Sequence, residues 1–316
     1  MRAAGVMSAD AEKAVLAPVL DALRAICDFG PITRTPAELP DVDLLITGWG
    51  CPPITAEVLA NLPGLKAIVH TAGSVKGFVT DACWDRGIVV SSAASANALP
   101  VAEYTLAMIL LNGKRVLERA RDYRATQQID HYDVPPTLGN YGATVGILSA
   151  SMIGRRVIEL LRPYDLHVLV HDPFVTEVDG AESVSLAELF RRSDVVSVHT
   201  PLLPETRGLV SRELLALLRD DAVLINTARG AVIDQDALVD EVSRIRAVLD
   251  VTDPEVLPPG HPLWRSENVL ITPHLAGSQG NEWVRLGRHA ADEVRRWVNG
   301  EPFSTPVPAQ RRERIA

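Results

Sequence analysis

Three apolar runs in the last third of the chain each finish on a residue able to do chemistry. The run 221–230 carries Val223, Leu224 and Ile225 up to Arg229, the run 249–255 ends in Asp250, Asp253 and Glu255, and the run 269–274 ends in His274 behind Pro273. A planar guanidinium can grip a carboxylate at two points. A carboxylate beside an imidazole favours its charged form and makes it a proton donor. Taken singly, Arg229 reads as a surface ion pair, Glu255 as a solvated loop charge and His274 as one of eight histidines. Arriving together at successive strand ends, they make an acid–base site with an anion clamp.

A fourth strand end points to a cofactor. The run 143–148 leads into Ser149, Ala150, Ser151, Met152, Ile153 and Gly154, the spacing of G-x-G-x-x-G with only its third glycine. What lifts this damaged signal is its strand-turn-helix setting and Asp172, 18 residues beyond Gly154. A carboxylate there accepts hydrogen bonds from the adenosine ribose hydroxyls and repels a 2′-phosphate, so NAD is expected over NADP. Asp172-Pro173 reads equally as a plain turn starter. The Cβ atoms of Ser149 and Ser151 occupy space that backbone needs to approach a pyrophosphate. Either their hydroxyls bond the phosphates and the dinucleotide sits slightly higher, or binding is weakened.

Something must bring these residues to one place. From residue 143 onward, apolar runs recur at 143–148, 166–170, 195–198, 222–225, 247–249 and 269–271, separated by segments of helical spacing such as 152–161 and 186–190. Near-continuous apolar strands alternating with helices predict a parallel sheet covered on both faces: a doubly wound domain. Ligands sit outside the carboxyl ends of such strands. Residues 1–98 repeat the alternation more loosely, with runs at 3–7, 25–29, 44–47, 67–70 and 88–90, a helix after Ser8 and another at 55–61. A second, smaller α/β unit is predicted there. Pro100 opens a long amphipathic helix from Val101 to about Arg124, with Asn97 or Ala98 near its cap. Residues 127–140 are the expected crossing into the central domain, 279–298 a final helix, and 311–314 a solvated tail.

Composition bounds the partners. At 316 residues, 47% hydrophobic and 22% charged, the chain suits two globular domains. With 31 Lys plus Arg against 40 Asp plus Glu, the net charge of −9 offers no field for a phosphate backbone, so nucleic acid is not expected. Cys27, Cys51 and Cys83 lie far apart, implying neither a disulfide framework nor a zinc knuckle. A reducing cytoplasm fits best, and Cys51 is expected to be inert. Asp10 and Glu12 interrupt any signal peptide, and no stretch approaches the roughly 18 apolar residues needed to span a bilayer, so a soluble protein without a membrane partner is expected.

At the chemical residues the sequence resembles the D-isomer-specific 2-hydroxyacid dehydrogenases. The matching pieces are DVVSVHTPLLPETRGLV (194–210), LINTARGAVIDQDALV (224–239), LDVTDPE (249–255), HPLW (261–264) and ITPHLAG (271–277), with weaker likeness at 71–80 and 97–106. The resemblance implies an α/β fold of two doubly wound parallel-sheet (Rossmann or flavodoxin-like) domains with a cleft between them. Residues 1–98 with 279–316 would bind substrate, and 99–278, including a linking helix 99–126, would bind NAD. A homodimer built through the central domains is implied, with a small 2-keto or 2-hydroxy acid as the small-molecule partner.

Residue by residue, the resemblance gives Arg229 the substrate's carboxylate and carbonyl, His274 the acid/base role, and Glu255 the task of holding His274. Backbone N–H groups of Ala72, Gly73, Ser74 and Val75 would meet the carboxylate. Asp250 would contact the nicotinamide carboxamide. Further cofactor contacts fall on Ser149, Ser151, Met152, Ile153, Gly154 and Asp172, then on His199, Thr200, Pro201 and Thr206, and finally on Thr227, Ala228, His274 and Gly277. Hydride would pass from the dihydronicotinamide to the keto carbon while His274 protonates the oxygen and Arg229 stabilises its growing charge. Glu255, where formate-type relatives have Gln, argues against formate chemistry.

Three departures stand out. The loop that usually reads G-A-G-x-D-x-I-D has Ser74, Val75, Lys76, Gly77 and Phe78 after Gly73. Residues 239–246 lack the usual glycine-bearing turn, which costs about 1 kcal/mol and could tilt the strand leading to Asp250. The phosphate loop has its two serines. An NADH-binding regulatory protein is therefore the alternative reading, against which the intact Arg229, Glu255 and His274 weigh. Trp49, His70, Phe78 and Tyr104 are candidates for a side-chain pocket, with packing the plainer reading of each, and Trp264 follows a loop that commonly packs over the site.

Overall fold

The computed structural model describes residues 1–128, 134–135 and 138–308. Part of the expected crossing at 127–140 and all of the expected tail at 311–314 lie outside the described residues. The chain forms two compact units, Met1–Asn97 with Ser278–Ala316, and Ala98–Gly277.

The first unit has parallel strands β1 (Arg2–Val6), β2 (Asp28–Thr33), β3 (Leu44–Thr47), β4 (Ala67–His70) and β5 (Val89–Ser92), in spatial order β5-β4-β3-β1-β2. Both faces are apolar. Leu44 and Ile46 pack with Leu16, Leu23 and Val294 on one side, while Leu45 packs with Ile54, Leu62 and Ile68 on the other. The expected strand at 25–29 is displaced: Leu20–Ile26 is helical and the strand begins at Asp28. Ala25 and Ile26 belong to a helix whose Leu23 is fully buried, so a helical turn claims part of that apolar run. Pro31 is tolerated because β2 is the sheet's edge.

The second unit has β6 (Thr144–Leu148), β7 (His167–His171), β8 (Glu182–Ser183), β9 (Val195–Val198), β10 (Val223–Asn226), β11 (Arg246–Leu249) and β12 (Val269–Ile271), all parallel in the order β12-β11-β10-β9-β6-β7-β8. The order reverses between β9 and β6, the crevice where such sheets bind ligands. Register fixes the edge. Leu148 pairs with His171 and Val198, Asn226 with Val198 and Leu249, and Leu249 with Ile271. The residues after these six strand ends therefore stand in one row. A last short strand, β13 (Pro306–Val307), returns to the first sheet antiparallel to β5.

The linking helix differs from expectation. Helix Ala94–Gly113 starts earlier, with Pro100 in its interior, and a second helix, Val116–Thr126, follows a break at Arg115, whose φ is +50°. By length and composition, Ala94–Gly113 is long and apolar enough to cross a membrane, which corrects the expectation that no stretch is. Part of it packs in the core, seating Ala102 and Ile109 among Val145, Ile147 and Ile225.

The turn without its glycine is held by a side chain. Arg244 donates to the carbonyls of Leu215 and Leu218 and to the Glu241 carboxylate, the last at 2.6 Å. β11 consequently pairs in full register with β10. Hydrogen bonds to a charged group are worth about 1.5–3 kcal/mol each, less where solvent reaches them. Arg244→Met is expected to destabilise the second unit by about 1–3 kcal/mol in chemical denaturation; an unchanged midpoint would show that the turn holds without it.

Candidate active site

The row of strand ends in the second unit is where the chemical residues meet. Asp250 follows the last residue of β11 and is buried, 2% exposed. One oxygen accepts from Thr272 Oγ1 at 2.6 Å and the Leu275 N–H at 2.8 Å, and the other from the Ala276 N–H at 2.9 Å. Its backbone carbonyl accepts from the His274 N–H at 3.0 Å. Asp250 thus grips the turn after β12, and its carboxylate, expected at the nicotinamide carboxamide, is directed here to that turn. His274 sits in the left-handed region at φ +52°, strained for a residue with a side chain.

That turn presents the His274 ring to Glu255, with Nδ1 to Oε1 at 2.6 Å and both side chains about half exposed. A carboxylate can only accept, so Nδ1–H donates and Nε2 is left for a ligand. The Glu255 loop is shaped by Thr252, whose buried hydroxyl bonds the carbonyls of Pro254 and Glu255. Gln235 brackets Asp253 through both its N–H and its carbonyl.

Arg229 follows β10. The buried Asn226 accepts from the Ala228 N–H at 3.0 Å and donates to the Arg229 carbonyl at 2.9 Å, closing the turn that carries the arginine. Burial draws Arg229 below the usual guanidinium value, and the nearby Glu255 charge opposes that shift. It remains a cation at any working pH. Gly230 ties this loop to the next, because a Cβ there would collide with the Thr252 carbonyl and the Asp253 nitrogen. Arg229, Glu255 and His274 are thereby brought together at one edge.

The phosphate loop has its own solution to the missing glycines. Ser149 takes φ +82°, a conformation glycine usually supplies, and its hydroxyl donates to Asp172 at 3.1 Å. The Asp172 carboxylate also accepts from the N–H groups of Ala150 and Phe174. Ser151 caps helix Met152–Leu161 by accepting from the Gly154 N–H, so its hydroxyl turns back into the helix. A Cβ at Gly154 would collide with the Ser149 carbonyl. Met152 and Ile153 lie in the first turn of that helix, where N–H groups lack intrahelical acceptors.

On the other side of the crevice, His199 donates its backbone N–H to the Leu148 carbonyl. Its buried ring is neutral, the pKa lowered to about 3 by burial, and Nδ1 has no hydrogen-bond partner among the described residues. Thr200 is buried beside it, and Thr206 closes the following loop onto the Pro201 carbonyl at 2.6 Å. Thr227 meets Thr105 at 3.3 Å, Ala228 is 9% exposed, and Gly277 ends the unit. A helix start that admits only glycine at 154, a carboxylate at the second strand end and an orphaned buried imidazole nitrogen fit a bound dinucleotide.

In the first unit, Ala72, Gly73, Ser74 and Val75 follow β4, and none of their N–H groups has an acceptor among the described residues. The aromatic candidates separate. His70 and Phe78 pack on each other, buried, with centroids 4.5 Å apart, and burial lowers the His70 pKa to about 3. Tyr104 bonds Thr272 at 2.9 Å, which in turn donates to Asp250. Trp264 and Trp49 are exposed. Burial pushes the Cys51 thiol up to about 12, away from reactivity. Sequence reasoning missed Asn226 and Thr272; for Asn226, a polar residue ending an apolar strand was the available signal.

The family model of the D-isomer-specific 2-hydroxyacid dehydrogenase NAD-binding domain matches residues 106–276. D-3-phosphoglycerate dehydrogenase of Mycobacterium leprae is 32% identical over 279 residues, 85% of this chain and 52% of that protein. Glyoxylate reductase of Thermofilum pendens is 32% identical over 264 residues, 78% of this chain and 76% of that protein. The crystal structure of the TT0316 protein from Thermus thermophilus has a TM-score of 0.79 at 31% identity, covering 98% of this chain and 100% of that one. The chain spans about half the length of the D-3-phosphoglycerate dehydrogenases it matches.

Because Gly230 has no room for a side chain, Gly230→Ala is expected to cost about 1–3 kcal/mol of stability and to displace Arg229 from Glu255. Thermal denaturation reads the first effect and a crystal structure of the variant the second; an unmoved loop would contradict the close approach.

Proposed function

The chain belongs to the D-isomer-specific 2-hydroxyacid dehydrogenase family, and from that premise we propose that it reduces a small 2-keto acid to the D-2-hydroxy acid with NADH. The observation that carries this reading is the 2.6 Å contact between His274 and Glu255 on the same edge as Arg229. Arg229 takes the substrate's carboxylate and carbonyl, where a guanidinium offers paired donors in a fixed plane. Glu255 holds the ring by Nδ1, so Nε2 carries the proton that passes to the carbonyl oxygen. Arg229 stabilises negative charge growing on that oxygen. In the first unit, Ala72, Gly73, Ser74 and Val75 offer backbone N–H groups to a carboxylate.

The start of helix Met152–Leu161 would hold the pyrophosphate, and Asp172 the adenosine ribose, with NAD preferred because a 2′-phosphate would meet that carboxylate. A dihydronicotinamide held by these residues would supply the hydride chemistry. His199, Thr227, Ala228 and Gly277 complete the cofactor's surroundings in this reading.

We also propose a homodimer built on the second unit. Only 39% of the apolar stretch of Ala94–Gly113 is buried, and Val116–Thr126 buries no residue, leaving Val116, Leu117 and Tyr123 exposed. A second copy covering these side chains removes apolar surface from water.

Loss of NADH absorbance with glyoxylate, hydroxypyruvate or phenylpyruvate tests the activity; NADH binding without consumption of any of them would favour a regulatory role. His274→Asn is expected to lower kcat by roughly 10²- to 10⁴-fold while NADH affinity, read by fluorescence titration, is retained. Substantial turnover by that variant would remove His274 from its role. For assembly, light scattering should give twice the chain mass, and Leu117→Glu with Tyr123→Glu should give the single chain; a monomeric parent would refute the dimer.

A further inference from the structure

In the second unit, the backbone and the side chain of Ser149 make opposite demands. At φ +82° the residue holds a conformation that glycine takes freely and a residue with a Cβ takes at a cost. The position is fenced on both sides. The Ser149 N–H donates to the His171 carbonyl at 2.8 Å, and its own carbonyl lies where a Cβ at Gly154 would go. The turn from β6 into helix Met152–Leu161 therefore imposes this conformation on whatever residue stands there. Glycine would meet the demand without strain, so what offsets the strain of a serine has to come from its hydroxyl.

That hydroxyl donates to Asp172 Oδ2 at 3.1 Å, beside the Ala150 N–H on the same oxygen at 2.9 Å, while Oδ1 accepts from the Phe174 N–H at 2.9 Å. Three donors from the loops after β6 and β7 thus hold both carboxylate oxygens. Ser149 is only 9% exposed, which keeps water from competing for its bond. Ser151 differs: its hydroxyl accepts from the Gly154 N–H and caps the helix. Without the Ser149 hydroxyl, each Asp172 oxygen would keep a single backbone donor, and an aspartate held less firmly can rotate about its side-chain torsions and carry its charge aside.

We propose that Ser149 is a positioning residue for coenzyme selection, its hydroxyl fixing the Asp172 carboxylate so that the negative charge cannot turn away from a 2′-phosphate. This deepens the proposed function and rests on its assignment of Asp172 to the adenosine ribose. A 2′-phosphate carries close to two negative charges, and its exclusion depends on a like charge that stays in place. Ser149 acts through Asp172, and its effect falls on coenzyme binding rather than on the chemical step.

The test measures dissociation constants for NADH and NADPH by fluorescence titration in the full chain, in Ser149→Ala, Ser149→Gly and Asp172→Asn, and in Ser149→Ala combined with Asp172→Asn. The parent is expected to favour NADH, and both serine variants to narrow that preference about three- to tenfold, chiefly by tightening NADPH binding. In the Asp172→Asn background, Ser149→Ala should change the ratio no further. Melting of the coenzyme-free chain separates hydroxyl from backbone: Ser149→Gly should melt above Ser149→Ala, because both lose the bond and only glycine also loses the strain. With Asp172→Asn narrowing the preference, a ratio unchanged in both serine variants, or narrowed in only one of them, overturns this inference alone, as does melting in the reverse order. A ratio unchanged in Asp172→Asn, or a parent that favours NADPH or binds neither coenzyme, overturns the reading beneath it as well.

Discussion

A single buried carboxylate organises the acid–base site. Asp250 accepts from Thr272 and from two consecutive N–H groups of the turn that carries His274, while its own carbonyl receives the His274 N–H. Hydrogen bonds to a buried charge are among the stronger kind, about 1.5–3 kcal/mol each, whereas a non-glycine residue in the left-handed region costs of order 1–3 kcal/mol. The hold exceeds the strain. His274 therefore keeps a conformation it would not adopt alone, and that conformation is what delivers its ring to Glu255.

The same logic of support from behind recurs at the other strand ends. Asn226 closes the Arg229 turn from inside the sheet, Thr252 shapes the Glu255 loop, and the absence of a side chain at Gly230 lets the two loops touch. In the first two cases the group facing outward is charged and partly exposed, and the group fixing it is buried and polar. Parallel register makes this possible, because Val198, Asn226, Leu249 and Ile271 end level with one another. A slip of one residue in β11 would turn Asp250 to the opposite face of the sheet.

Much of this was legible in the sequence. The apolar runs at 44–47, 67–70 and 195–198 coincide with β3, β4 and β9, because strands buried on both faces have few other compositions available, and the run at 269–271 coincides with the edge strand β12. The helix at 152–161 likewise has the expected bounds. The short strands β8 and β13 left no pattern, since two residues have no period. Pro100 read as a helix start and lies inside the helix, which sequence rules on first turns could not anticipate. Arg229, Glu255 and His274 were visible by residue type and place. The roles of Asp250, Asn226 and Arg244 were not, because a hydrogen-bond partner far along the chain depends on loops whose paths only the folded structure defines. Ser149 and Ser151 read either as phosphate-bonding hydroxyls or as obstructions; one is held by Asp172 in a glycine-like conformation and the other is a helix cap.

Through their 2.6 Å contact, Glu255 and His274 act as one unit. A double-mutant cycle with Glu255→Gln and His274→Asn, reading kcat/KM for a 2-keto acid, tests this most directly. The double variant should be about as impaired as His274→Asn alone, because Glu255 has nothing to hold once the imidazole is gone. Losses that simply multiply would show two independent groups and contradict the account.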